Sequence, residues 1–205
     1  MKHFHTPFGF LAIATLLTIG CSKDEEPSNS FSFQGKSYAI TEAYVTKIIL
    51  TNSETNAELD LYQFEFLHVK GSDSAALLLA VVDQNTNELG GDYAGKSISS
   101  NDSRGLFPFL FFAASGIALP DQSAYLTGAG GMVSIAKKEA NYTINISSIP
   151  AGTYDQAYNF AEKGKIKGYY KGQIMMDVRD LREQGAVDPS RLYLYMKPTE
   201  RHLPK

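Results

Sequence analysis

The pattern of apolar and polar positions changes at about residue 30. From Phe31 onward, short apolar stretches alternate with clusters of Gly, Asn, Asp and Ser. Many of these stretches place apolar side chains on every second position, which is the period of a strand that is buried on one face. Beyond the first twenty residues, no long stretch shows the period of 3.6 residues typical of an amphipathic helix. The pattern therefore predicts a strand-rich domain.

Two hairpins stand out in this pattern. Residues 131–137 (GMVSIAK) and 141–147 (NYTINIS) alternate cleanly on either side of the turn KEA, as expected of paired antiparallel strands. Residues 31–40 (FSFQGKSYAI) predict two shorter strands around a turn that contains Gly35. Residues 44–51 (YVTKIILT) predict a further strand, because they are rich in β-branched side chains.

Three longer segments are predicted to be strands. Residues 59–69 place apolar side chains on both faces, and residues 75–82 are apolar at consecutive positions, which indicates two strands that are buried at least partly on both faces. Residues 165–177 predict a long strand in which Gly168 and Gly172 permit bending or close approach of a neighbour.

The fold class predicted from these elements is all-β. We expect an antiparallel β-sandwich or a short barrel of roughly 9 to 12 strands. The only helix expected is a single turn in the charged segment VRDLREQG. One domain is predicted over residues 31–198, followed by a tail at 199–205, since 205 residues suit one domain together with processing and linker segments.

The first twenty residues have the character of a signal peptide. Lys2 precedes a charge-free run over residues 8–19, which is too short for a membrane-spanning helix of about 20 apolar residues. Thr18 and Gly20 suit an ordinary secretory peptidase, which would leave Cys21 as a free thiol. The tetrapeptide at 18–21 (TIGC) alternatively resembles the lipobox of bacterial lipoproteins, and this resemblance implies that Cys21 is lipidated. An exported chain with one cysteine favours the lipid alternative.

The charged block behind this cysteine (SKDEE, residues 22–26) resembles the surface-export signal of Bacteroidota lipoproteins. The resemblance implies that Lys23, Asp24 and Glu25 direct the protein to the outer face of the outer membrane, where acylated Cys21 contacts lipid. Several acyl chains anchor a protein stably, at about 0.8 kcal/mol per buried CH₂. Residues 21–30 are predicted to include a flexible acidic linker.

The mature chain resembles small Bacteroidota lipoproteins of uncharacterised function. The similarity lies in the start FSFQGKSYAI, the Gly-x-Tyr at residues 91–93, the hairpin and the strand IKGYYKGQI. It implies an extracellular β domain and no catalytic residues. A net charge of −3 gives no basic surface for nucleic acid.

The short motifs that could carry chemistry are weak indications of a catalytic, metal-binding or modification site. Ser134 and Lys137 match Ser-x-x-Lys, but residues three apart in a strand point to opposite faces. The segment GAGG at 128–131 is interpreted as a turn. His68 and His202 are the histidines outside the signal segment, so no metal site and no cofactor are predicted. Ser74, in Asp-Ser-Ala, resembles a Bacteroidota O-glycosylation motif.

An acidic cluster near the end of the chain has side chains that could bind calcium. It consists of Asp177, Asp180, Glu183 and Asp188. Its spacing matches no calcium loop, and two arginines lie between its members. We therefore interpret it as a solvated, salt-bridged loop.

The most unusual apolar segment is residues 106–119 (LFPFLFFAASGIAL). Its Phe107, Phe109 and Phe111 fall on one face of a predicted strand, and Pro108 favours a sheet edge because proline donates no hydrogen bond. An apolar edge needs a cover, which could be the chain's own loops, an apolar ligand or a partner. A fully buried strand is the simpler alternative.

Three function classes follow from these observations. The favoured prediction is a non-enzymatic surface binding or accessory lipoprotein that uses aromatic residues to hold a glycan, lipid or protein. The first alternative is a secreted hydrolase built from Glu65 with Asp83 or Asp177. The second alternative is a structural component that accepts a donated strand at its apolar edge.

Overall fold

The computed structural model of the protein describes residues 27–84, 89–95, 104–106, 111–117, 125–127, 130–157 and 159–188. In chain order, the strands are β1 (Ser30–Phe33), β2 (Lys36–Ala39), β3 (Glu42–Asn52), β4 (Glu58–Lys70), β5 (Asp73–Gln84), β6 (Gly91–Ala94), β7 (Arg104–Leu106), β8 (Phe111–Ala114), β9 (Leu126–Thr127), β10 (Met132–Lys138), β11 (Asn141–Tyr154), β12 (Phe160–Gln173), β13 (Met176–Asp180) and β14 (Ala186–Val187). The all-β prediction is confirmed, although the described residues alone form more strands than the 9 to 12 expected.

The strands form two sheets that pack face to face. Of the two predicted alternatives, sandwich and short barrel, the fold is therefore the sandwich. Sheet A has the order β2-β1-β12-β11-β10-β6, with β9 paired to β11. Sheet B has the order β13-β3-β4-β5-β7, with β14 paired to β3 and β8 paired to β5. Sheet A is antiparallel throughout, whereas β13 and β14 run parallel to β3 in sheet B. The purely antiparallel prediction was therefore too simple.

Both predicted hairpins are present in sheet A. The β10–β11 register places Val133 opposite Ile146 and Ile135 opposite Ile144, with all four side chains buried. The β1–β2 turn uses Gln34 and Gly35 at φ 50° and 80°, as expected of the tight turn that suits the right-handed twist of a hairpin. These strands alternate between a buried inner face and an outer face that meets solvent.

Sheet B differs because its central strands are buried on both faces, as their apolar runs predicted. Phe64 of β4 faces the inner core, while its neighbours Leu59 and Leu61 face outward, and all three are 0% exposed. The exception is Val69, which is 55% exposed at the end of the strand. Leu181 and Val187 pack on the outer cluster of this sheet and provide part of its cover.

The predicted strand at 165–177 is two strands in different sheets. β12 ends at Gln173, and the chain then passes to sheet B, where Met176 pairs with Val45. Gly168 does permit a close approach, because a Cβ atom there would lie 3.1 Å from the Ser30 carbonyl oxygen. The predicted helical turn is confirmed as a short 3₁₀ helix at Arg182–Gln184.

The apolar segment at 106–119 is also divided. β7 and β8 pair with different parts of β5 at the edge of sheet B, and residues 107–110, which include Pro108, lie outside the described residues. The backbone of Phe112 in β8 exchanges hydrogen bonds with Tyr125, the residue before β9. At this point the chain itself covers the edge that was proposed to accept a donated strand.

Candidate functional site

Most of the residues predicted to carry function fall outside the described part of the chain. Cys21, Lys23, Asp24 and Glu25 precede it, and Phe107 and Phe109 lie in one of its gaps. Phe111 is the first residue of β8, but its side chain is not among those described. The predicted phenylalanine patch is therefore untested.

Ser74, the predicted O-glycosylation residue, lies next to the β4–β5 turn and is half-buried. Its backbone N–H donates to the Ser115 hydroxyl at 2.9 Å, and its carbonyl accepts from the Ser115 N–H at 2.7 Å. These bonds fix its backbone and do not occupy its hydroxyl. Modification of Ser74 stays a prediction.

The candidate site is an open groove on the outer face of sheet A, of about 540 Å³. Hydroxyl and amide groups line it, together with one aromatic side chain, that of the half-buried Tyr169. The lining residues are Pro27, Ser28, Ser30, Ser32, Ser37, Asn145, Ile146, Ser147, Ser148, Lys167, Gly168 and Tyr169. We call this site the serine groove.

The hydrogen-bonding groups of the serine groove are available to a ligand. Within the described part of the chain, the side chains of Ser32, Ser37, Asn145 and Ser147 make no hydrogen bond to other protein groups. The Ser30 hydroxyl donates to the Ser28 carbonyl at 3.2 Å, within the groove wall. These uncommitted donors and acceptors give the open groove the means to hold a polar ligand by hydrogen bonds.

A β-bulge shapes one wall of this groove. The register between β11 and β12 shifts between Ile146 and Ile149, and Ser148 at the bulge has a φ of 51°. Serine in the left-handed region is less stable than glycine there, and bulges occur often beside functional sites. The bulge sets Ser147 and Ser148 side by side on the groove wall.

The N-terminal end of the described chain forms the opposite rim. The Asn29 amide nitrogen donates to the Lys171 carbonyl at 3.0 Å, and the Lys171 N–H donates to the Asn29 side-chain oxygen at 2.7 Å. Asn29 thus extends the pairing of β1 with β12 by side-chain hydrogen bonds. As a result, Pro27 and Ser28 are held against the groove.

Glu65 and Asp83, one of the two carboxylate pairs proposed for a hydrolase, are not brought together. Glu65 pairs with Leu78 on the outer face of sheet B, whereas Asp83 faces the space between the sheets. Asp177 shares the outer face with Glu65, but β3 separates their strands and Asp177 is exposed. The Glu65–Asp83 pair is therefore wrong, because the two residues lie on opposite faces of one sheet.

Asp83 lies opposite a different carboxylate, Asp60, across the β4–β5 ladder. Asp60 accepts hydrogen bonds from Lys47 at 2.7 Å and from Tyr62 at 3.3 Å, and Asp83 accepts one from Tyr93 at 3.0 Å. Burial raises the pKa of Asp60 above its usual value, although the Lys47 ammonium opposes this shift. Both carboxylates are at most 4% exposed, so this cluster presents no surface to a substrate.

A second polar cluster joins the two sheets at the other end of β5. Asp73 accepts a hydrogen bond from Lys36 at 2.9 Å and one from the Ser115 hydroxyl at 3.2 Å. The His68 Nε2 lies 3.7 Å from Asp73, and its Nδ1 lies 2.7 Å from the Ala39 carbonyl oxygen. Lys36 holds the pKa of Asp73 below its usual value. The carboxylate stands between serine and histidine, so this is not the order of a catalytic triad.

The remaining motifs have structural explanations. Asp180 accepts hydrogen bonds from the Arg182 guanidinium, which also binds Glu58 at 2.9 Å; the predicted salt-bridged interpretation is confirmed for Asp180. Ser134 and Lys137 both lie in β10, and the strand directs them to opposite faces. Among the described residues, no three His, Cys, Asp or Glu side chains lie close enough together to hold a metal ion.

Comparisons with known proteins assign no family to this chain. No protein-family model, no curated protein and no solved structure matches it significantly. In the part of the chain that the structure describes, no helix is long and apolar enough to cross a membrane. A function therefore has to be argued from the serine groove itself.

Proposed function

We propose that this protein is a lipid-anchored, non-catalytic surface lipoprotein that binds a glycan in the serine groove. The observation that carries the proposal is the set of uncommitted hydroxyl and amide groups around Tyr169 on one concave sheet face. A lipidated Cys21 and the export signal at Lys23, Asp24 and Glu25 would place this domain at the outer membrane, facing outward.

The chemistry of the groove suits a sugar. A sugar ring presents hydroxyls around its rim and C–H groups on its faces, so it needs hydrogen-bonding partners and a flat apolar surface together. The hydrogen-bonding partners are the side chains of Ser32, Ser37 and Asn145, and the flat apolar surface is the ring of Tyr169. An apolar ligand would instead leave these polar groups without partners.

The inner aromatic residues do not offer a competing site. Phe31, Phe33, Tyr38 and Phe112 contact one another between the sheets, with ring centroids 4.8 to 6.3 Å apart. All are at most 1% exposed. Within the described residues, the aromatic side chains therefore lie mainly in the core, whereas that of Tyr169 lies at the surface.

The test is a binding measurement with the full-length lipidated protein in detergent micelles. A panel of soluble polysaccharides is titrated against the wild type, Tyr169→Ala and Asn145→Ala. We expect binding by the wild type and a loss of about tenfold in each variant, since a stacked ring or a hydrogen-bonded group contributes about 1 to 1.5 kcal/mol.

The matched control is Tyr44→Ala, which removes a 41% exposed tyrosine from sheet B. It should bind as the wild type does. Equal losses in Tyr44→Ala and Tyr169→Ala, or no binding of any polysaccharide, would contradict the glycan proposal. The anchor is tested separately, because Cys21→Ser should release the protein from the membrane.

A further inference from the structure

The outer face of sheet A has a bias of positive charge. Among the outward-facing strand positions that the structure describes, four are lysines, whereas the acids are Asp92 on the edge strand β6 and Glu162 near the start of β12. The lysines are Lys138, Lys165, Lys167 and Lys171. The whole chain, by contrast, has a net charge of −3. Positive charge is therefore concentrated on the face that holds the serine groove.

Three of these lysines alternate along β12 with inward-facing residues. Lys165, Lys167 and Lys171 occupy the same face as Tyr169, whereas Ile166 and Tyr170 are buried on the other. We call the series Lys165, Lys167, Tyr169 and Lys171 the β12 stripe. Lys167 also lines the serine groove, so the stripe and the groove are one continuous surface.

Two charges of the stripe, those of Lys165 and Lys167, are not neutralised by the described part of the protein. Neither Lys165 nor Lys167 has a carboxylate within 4.0 Å among the described residues, unlike Lys36 and Lys47, which pair with Asp73 and Asp60. Alternate residues of a strand lie about 6.6 Å apart, which is within the Debye length of about 8 Å at physiological salt. The two ammonium groups therefore repel each other unless an anion lies between them.

We infer that the ligand of the serine groove is an acidic polysaccharide, whose carboxylate or sulfate groups lie along the β12 stripe. This inference rests on the proposed glycan function and specifies its substrate class. One sugar ring packs on Tyr169, and the acidic groups of neighbouring sugars contact Lys165 and Lys167. The serines and Asn145 bind the sugar hydroxyls.

A flat anionic membrane is the less favourable occupant of this face. Lysines alone are sufficient for attraction to anionic lipid. The serine, asparagine and tyrosine side chains of the serine groove add hydrogen-bonding groups and a flat ring, which suit a chain of sugars better than a plane of head groups. The combination of lysine, hydroxyl and aromatic groups in one groove favours a chain that is both charged and polyhydroxylated.

The experiment compares acidic and neutral polymers. Polygalacturonate, chondroitin sulfate and dextran are titrated against the full-length protein in micelles at low and high salt. We expect the two acidic polymers to bind more tightly than dextran, with affinity that falls as salt rises. The double variant Lys165→Gln/Lys167→Gln should lose about tenfold in affinity for the acidic polymers and should bind with a weaker salt dependence.

Two further variants separate charge from folding. Lys70→Gln removes an exposed lysine at the β4–β5 hairpin in sheet B and should bind as the wild type does. Lys165→Arg/Lys167→Arg should keep most of the affinity, because the charge is retained. The glutamine double variant should not melt at a lower temperature than the wild type, since removing mutual repulsion does not destabilise the fold.

Each other outcome has a definite meaning. Equal binding of dextran and polygalacturonate would overturn the acidic-ligand inference and leave the glycan function standing. If the protein binds none of these three polymers and no polysaccharide of the panel described above, both the acidic-ligand inference and the glycan function are overturned. Tight binding to phosphatidylglycerol vesicles, with no gain for acidic sugar polymers over dextran, would overturn the inference in favour of membrane docking.

Discussion

The two sheets share one inner core but have opposite outer faces. The outer face of sheet A carries serine, asparagine, lysine and Tyr169, and it meets solvent. The outer face of sheet B carries Ile48, Leu50, Leu59 and Leu61, which are all 0% exposed. A covered face contributes stability through burial, whereas an open face is available for recognition. The difference teaches that a ligand site belongs on the outer face whose central strands meet solvent.

The largest difference between the two outer faces is expected from one alanine substitution on each of them. Leu61→Ala leaves a cavity under the cover of sheet B and should lower the free energy of unfolding by about 2 to 5 kcal/mol. Ser147→Ala, on the outer face of sheet A, should change it by less than about 0.5 kcal/mol. Urea denaturation of both variants measures the difference, and similar losses would contradict the assignment of the two faces.

The second prediction uses pH to separate two aspartates of sheet B. The pKa of Asp60 is raised by burial, so its contribution to stability is greatest in acid and is lost as the pH rises through its folded-state pKa. Asp60→Asn should therefore be at least as stable as the wild type near neutral pH, where Lys47 can still bind the asparagine oxygen. The free energies of unfolding of the wild type and Asp60→Asn should become equal below pH 3.8, the usual pKa of an aspartate.

Asp73 is expected to behave in the opposite way. Its pKa is lowered by Lys36, so its contribution is present above the usual value and is lost as the pH falls. Asp73→Asn should be less stable than the wild type at neutral pH and equal to it in acid. Urea unfolding from about pH 7 to about pH 3 tests both, and shifts of the same sign in the two variants would contradict this explanation.

The smallest effect is expected at the bulge in the groove wall. Ser148 has a φ of 51°, so Ser148→Gly should raise the free energy of unfolding by up to about 1 kcal/mol. Its neighbour Ser147 has no positive φ, and Ser147→Gly should lower it by about 0.5 to 1 kcal/mol. Thermal unfolding of Ser148→Gly and Ser147→Gly provides the measurement. Changes in stability of the same sign in the two variants would show that the bulge is not strained.

Local sequence was sufficient for the parts of the fold that depend on neighbouring residues. The β10–β11 hairpin and the doubly buried strands β4 and β5 were predictable because alternation and continuous apolar runs report directly on burial. The division at Gln173 was not predictable in the same way, since residues 165–177 remain strand-like across it. Only the position of β3 as a parallel partner explains why the chain changes sheets there.

The candidate site was largely missed, for a different reason. Ser32 and Ser37 face each other in one hairpin, but Asn145 belongs to the distant strand β11, and only the order β2-β1-β12-β11 brings the three together. The Asp60–Asp83 contact depends in the same way on the β4–β5 register. One local signal was present: Lys165, Lys167 and Tyr169 alternate with the buried Ile166 and Tyr170, and this pattern marks a charged outer face.

The position of β1 between two partners also has a mechanical consequence. β2 and β12 pair with β1 on both sides, and the Asn29 amide adds two hydrogen bonds to Lys171 at its start. A pull at Pro27, directed along β1, would load these bonds together in shear and could not open them one after another. If the tether and the ligand pull in opposite directions under flow, the tension enters the domain through β1 and is shared with β2, β12 and β11, the strands that the serine groove spans.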